Sequence, residues 1–61
     1  MKIKVEYRGM RMGGRWKTGE IVMELPESGF SEQYKEFKKQ MGELADRENF
    51  MDLRDEKVEE E

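Results

Sequence analysis

The sequence predicts a small α+β domain of ββα type, an antiparallel β-hairpin over about residues 2–25 packed on one amphipathic helix over about 32–48. Three observations carry this. Apolar and charged residues alternate in two short N-terminal runs, a Gly-Gly dipeptide separates those runs, and apolar residues then recur at helical spacing from Tyr34 onward.

In the first run, Lys2 to Tyr7, Ile3, Val5 and Tyr7 fall on one face of an extended strand. In the second, Glu20 to Leu25, Ile21, Met23 and Leu25 do the same. Gly13-Gly14 accepts positive φ and so permits a tight turn between them. Loop length decides the pairing. A two-residue loop at Gly13-Gly14 sets Ile21 opposite Glu6 and Met23 opposite Lys4, mixing apolar with charged. A three-residue loop, Gly13-Gly14-Arg15, sets Ile3 opposite Leu25, Val5 opposite Met23 and Tyr7 opposite Ile21. Lys4 then faces Glu24 and Arg8 faces Glu20. Matched pairs stabilise a ladder by roughly 0.2–1 kcal/mol each, so the second register is expected.

Pro26 ends the hairpin because it has no N–H for a continuing ladder. Ser31 is the expected helix N-cap, with Glu32 in the first turn where the macrodipole favours an acid. Tyr34, Phe37, Met41 and Leu44 form the apolar stripe, joined by Ala45. Gly42 reads as a tolerated surface glycine, with close approach of another backbone as the second reading. Beyond Arg47 there are two readings of residues 50–58. Either the helix breaks near Asn49 and Phe50, Met51 and Leu53 pack back as a second short helix, or one helix continues to Val58. The break is favoured. Glu59-Glu60-Glu61 is expected to be a disordered acidic tail, since like charges at a helix C-terminus oppose the macrodipole.

The expected core is Ile3, Val5, Tyr7, Ile21, Met23, Leu25, Phe30, Tyr34, Phe37, Met41 and Leu44. That is a thin core for one domain, and a two-stranded sheet leaves both edges unpaired. A homodimer through the hairpin edges, or docking on a larger partner, would relieve both deficits.

Composition narrows the function. The chain has 61 residues, 44% of them charged, with no Cys and no His. Nucleophilic catalysis needs a base beside the nucleophile, and none is identifiable. A zinc-type ligand set is absent. Asp46, Glu48 and Asp52 do not make a calcium loop, because Met51 stands where that loop needs glycine. Gly9 to Gly14 lacks the lysine and hydroxyl of a phosphate-cradling loop. No enzyme activity, metal, cofactor or small-molecule substrate is expected. A Cys-free chain of this size points to a reducing, cytoplasmic location. It opens without the apolar run of a signal peptide, and no stretch is long and apolar enough for a membrane span.

Charge is unevenly spread. Residues 1–19 carry Lys2, Lys4, Arg8, Arg11, Arg15 and Lys17 against Glu6 alone, and the remainder is strongly acidic, for a net of −3. The hairpin tip concentrates the cations around Met10, Met12 and Trp16. Trp, Met and Arg are the residue types enriched at protein interfaces. The candidate binding residues are therefore Arg8, Met10, Arg11, Met12, Arg15, Trp16 and Lys17. The competing reading is that the hairpin twists at Gly9 and Gly19 and tucks Trp16 against the helix as core. If the tip is exposed, a small regulatory protein of accessory-subunit or inhibitor type, acting on a protein partner, is the leading expectation. The alternative is a nucleic-acid-binding module in which the cations hold phosphates and Trp16 stacks on a base. The overall pI of about 5.1 weighs against it. A lesser alternative is an acidic helix that mimics nucleic acid.

Overall fold

The computed structural model describes residues 1–61 and contains four elements: β1 (Lys2–Arg11), β2 (Trp16–Glu24), α1 (Phe30–Glu48) and β3 (Phe50–Glu60). Together they make an α+β fold, a three-stranded antiparallel sheet of order β2-β1-β3 with one helix against it. The hairpin and the helix stand where the sequence patterns put them. The segment after the helix does not. Residues 50–58 form neither a second helix nor a continuation of α1, and Glu59 and Glu60 belong to the β3 ladder instead of a disordered tail.

The physical reason lies in β1. A two-stranded hairpin would leave a row of unsatisfied N–H and C=O groups along β1, and β3 fills that edge. Two register shifts, between Glu6 and Tyr7 and between Met10 and Arg11, insert extra residues into β3. Phe50, Leu53 and Val58 lie opposite Arg11, Gly9 and Val5. Their spacing is irregular, so no two-residue alternation is visible in this strand.

The hairpin register also differs from expectation. Ile3 pairs with Met23, Val5 with Ile21, Tyr7 with Gly19 and Met10 with Trp16. The loop has three residues as expected, but they are Met12, Gly13 and Gly14. Arg11 N–H donates to Arg15 O at 2.9 Å and Gly14 N–H donates to Arg11 O at 3.1 Å. Both glycines take positive φ, 100° and 80°. Moving the loop back by one residue slides the partners by two, so every side chain keeps its face. What favours this register is the seating of Tyr7. Its ring lies over Gly19, in space that a β-carbon there would need.

α1 begins earlier than expected. Gly29 is the N-cap, at φ 125°, with no side-chain cap, and Gln33 N–H donates to Gly29 O at 3.0 Å. Ser31 lies inside the first turn, so its hydroxyl does not cap. Asn49 ends the helix at φ 59°, ψ 41°, a left-handed position that Asn tolerates. Gly42 is an exposed helical glycine with open space where a β-carbon would stand.

The core comprises Ile3, Val5, Tyr7, Met23, Leu25, Met41, Leu44 and Phe50, with Met1, Ile21, Phe37, Ala45 and Leu53 packed around it. Phe50 enters because β3 carries it over β1. Phe30 and Tyr34, expected in the core, are exposed at 81% and 53%. On α1 the core contacts come from Phe37, Met41, Leu44 and Ala45, not from the first two turns. No helix is long and apolar enough to cross a membrane.

Candidate functional site

Strand alternation decides which tip residues can act together. Ile3, Val5, Tyr7 and Met23 face the helix, so the even-numbered residues of β1 and β2 face the opposite way. Arg8, Met10 and Trp16 therefore share the open face of the sheet. Trp16 is not tucked into the core; it pairs across the ladder with Met10 and stays 43% exposed.

Two guanidinium groups lie against the indole. Arg8 Cζ lies 4.5 Å from the Trp16 ring centroid and Arg54 Cζ lies 5.5 Å from it. At such distances a cation over an indole gains roughly 0.5–1 kcal/mol at an exposed site. The stack holds the ring in place while leaving part of it open to water. Each arginine is also tied by an acid, Arg8 Nε to Glu56 at 3.3 Å and Arg54 to Asp52 at 3.2 Å. Arg54 was not among the sequence candidates. It reaches the site only because β3 lies beside β1, and no local pattern signals that.

Arg11 and Lys17 turn the other way. Arg11 donates through Nε to the Glu48 backbone carbonyl at 3.0 Å and through a terminal nitrogen to the Glu48 carboxylate at 2.8 Å. Lys17 Nζ donates to the same carboxylate oxygen at 3.2 Å. Arg11 thus serves one of the orphan carbonyls of the last helical turn and neutralises an acid that would otherwise oppose the macrodipole. Its guanidinium also lies 5.4 Å from the Phe50 ring centroid. The hydrogen bond and charge of Lys17, together with Arg11, hold the Glu48 carboxyl below its ordinary pKa. These two cations latch the hairpin to the helix end. They do not line the Trp16 face.

The remaining candidates sit in the loop and its flank. Met12 is 83% exposed and lines an open depression with Arg11, Arg47, Glu48 and Asn49. Arg15 is exposed and has no ion-pair partner. The seven sequence candidates therefore divide into an open-face cluster (Arg8, Met10, Trp16), a latch (Arg11, Lys17) and two loop residues (Met12, Arg15).

Across the rest of the open face, charge is arranged in alternating signs. Lys4 Nζ lies 3.9 Å from Glu20 and 4.0 Å from Glu59, and Lys57 Nζ lies 2.7 Å from Glu59. The hydrogen bond and charge of Lys57 lower the Glu59 pKa, and Glu59 raises that of Lys57. The acids that nucleic-acid mimicry would need are split between two elements, Glu43, Asp46 and Glu48 on α1 and Asp52, Asp55 and Glu56 on β3, and Glu48, Asp52 and Glu56 are each paired with a cation. No protein-family model, curated protein or solved structure matches the chain.

Proposed function

We propose that this protein is a small, non-enzymatic binding module of accessory-subunit or inhibitor type that recognises a protein partner through the open sheet face around Trp16. One observation carries the reading: an indole held half-open on a β-sheet by Arg8 and Arg54, with Met10 beside it. A side chain already fixed in place loses little conformational freedom on binding, so more of its buried area appears as affinity. Trp and Arg are also the residue types that dominate interface hot spots. A reducing, cytoplasmic setting fits a chain without cysteine.

The nucleic-acid reading draws less support. Of the four tip cations, Arg8, Arg11 and Lys17 already have carboxylate partners, which leaves Arg15. Cations neutralised within the protein release fewer counterions from phosphate, and that release drives such binding. Mimicry of nucleic acid needs a continuous acidic surface, and the paired carboxylates interrupt it.

The test is affinity capture from a cell lysate with quantitative mass spectrometry, run on the wild type, Trp16→Ala and Arg54→Ala. One protein retained by the wild type and lost by both variants supports the reading. Equal retention by all three removes it. Capture of nucleic acid that disappears steeply with salt and depends on Arg15 would favour the alternative.

A further inference from the structure

The apolar stripe of α1 is only half used. Met41 and Leu44 are buried, whereas Phe30, the first residue of the helix, and Tyr34, one turn on, are exposed. Their rings are stacked, with centroids 6.3 Å apart and planes within 13°. With Met1, Ile3, Leu25, Phe37 and Val58 they wall an open groove of about 160 Å³ in which Gln33 is the one polar lining residue. This groove lies on the helix side of the sheet, away from Trp16.

We propose that the occupant is a second copy of this chain, and that two copies join about a two-fold axis, each laying its Phe30–Tyr34 pair into the other's groove. Two observations point to self-association. The first is charge. On α1, Lys35 and Lys38 flank the aromatic stripe, one turn apart. At the sheet end of the same groove, Glu60 shares a face with Ile3, and Glu61 follows it, its N–H donating to Lys2 O at 2.9 Å. Lys35 Nζ lies 3.8 Å from Glu32 one turn earlier, in an exposed pair, whereas Lys38 lies only over the Tyr34 ring at 5.9 Å and Glu60 and Glu61 have no ion-pair partner. A patch with cations on one rim and anions on the other is complementary to itself, which a two-fold contact requires. An anionic lipid surface would repel the acidic rim.

The second observation is area. A small stable interface needs roughly 600 Å² from each partner. At roughly 150–250 Å² per aromatic side chain, the exposed fractions of Phe30 and Tyr34 supply about 200–330 Å². Val58, Met1 and the apolar stems of Lys35 and Lys38 make up much of the remainder. The apolar material is present on one chain, and without a second copy it faces water.

Equilibrium sedimentation tests this with the full chain. The expected result is a monomer of 7.4 kDa on dilution, rising to twice that mass with a Kd in the micromolar range. Phe30→Ser, at a site too exposed to disturb the fold, stays monomeric with an unchanged circular dichroism spectrum. Lys35→Glu with Lys38→Glu dissociates the dimer, and adding Glu60→Lys and Glu61→Lys to the same chain restores it. For geometry, a nitroxide on Ser31→Cys in mixed labelled dimers broadens partner amides at residues 1–3, 27 and 58–61. A 7.4 kDa mass at every concentration up to millimolar overturns the proposal, whatever else the groove then holds. So does a dimer that survives Phe30→Ser, a charge reversal without rescue, or broadening along residues 16–24, which would mean strand-edge pairing.

Discussion

The ring of Phe50 occupies the space that a side chain at Gly9 would need: a β-carbon built on Gly9 would stand 2.7 Å from three of its ring carbons. Gly19 bears the same relation to Tyr7, whose hydroxyl oxygen would be 2.5 Å from the added carbon. The two rings meet at 5.9 Å with planes at 60°, so one tilted aromatic pair spans the sheet over two glycines. Gly9→Ala is expected to lower stability by about 1–3 kcal/mol, the usual penalty for overpacking. Gly19→Ala should be milder, since it meets the far end of Tyr7. Urea unfolding measures both; an unmoved midpoint for Gly9→Ala would show that the ring is not seated there.

β3 should be indispensable. It pairs along β1 from Ile3 to Arg11 and delivers Phe50 to the core. Phe50→Ala is expected to cost about 3–5 kcal/mol, a large share of the stability of so small a domain. A chain ending at Asn49 should be largely unfolded by circular dichroism. A truncated chain with native-like dispersion of its amide spectrum would contradict this.

Acid should loosen the latch between hairpin and helix. The Glu48 carboxyl, favoured in its charged form by Lys17 and then Arg11, titrates below its ordinary value of 4.5 in the folded protein. Its contribution to stability is therefore complete above that value and fades as pH falls through the lower, folded pKa. Glu59 acts in the same direction through Lys57. The protection factor of the Asn49 amide, its exchange rate divided into the intrinsic rate at each pH, should fall there, and Glu48→Gln should flatten the response. Arg11→Ala should weaken the fold less than Phe50→Ala, because the pair is partly exposed.

Gly42→Ala should stabilise the protein by about 1 kcal/mol, since the site is exposed, helical and unobstructed. A higher urea midpoint with an unchanged slope is the expected reading. A lower midpoint would point to a neighbour packed on that position.

Trp16→Ala should cost only about 1–2 kcal/mol, the two cation–indole contacts, well below Phe50→Ala, as the ring lies outside the core. The indole should be accessible to acrylamide in the wild type, and more so in Arg54→Ala, where one covering guanidinium is gone. A blue-shifted, quencher-resistant emission would place Trp16 inside and remove the proposed site.

Sequence legibility followed the range of the interactions. Ile3, Val5, Tyr7 and Met23 were readable because strand alternation is local, and Met41 and Leu44 because helical spacing is local. Slipping the hairpin by two residues left those faces intact, so Arg8, Met10 and Trp16 could be grouped correctly from sequence. The same alternation sets Arg11 and Lys17 behind that face, but not what they do there, since their partner is Glu48, some thirty residues away along the chain.

The amino-acid order alone determined the α+β class, the hairpin, the extent of most of the helix and the concentration of cations near Trp16, all consequences of near-neighbour periodicity and turn chemistry. Tertiary structure decided that residues 50–60 are a strand, that Phe50 belongs to the core while Phe30 and Tyr34 do not, and that Arg54 joins the indole. A charge-rich segment with two bulges has no clear preference of its own. Its conformation comes from the unpaired edge of β1, whose backbone groups find partners only when β3 lies alongside.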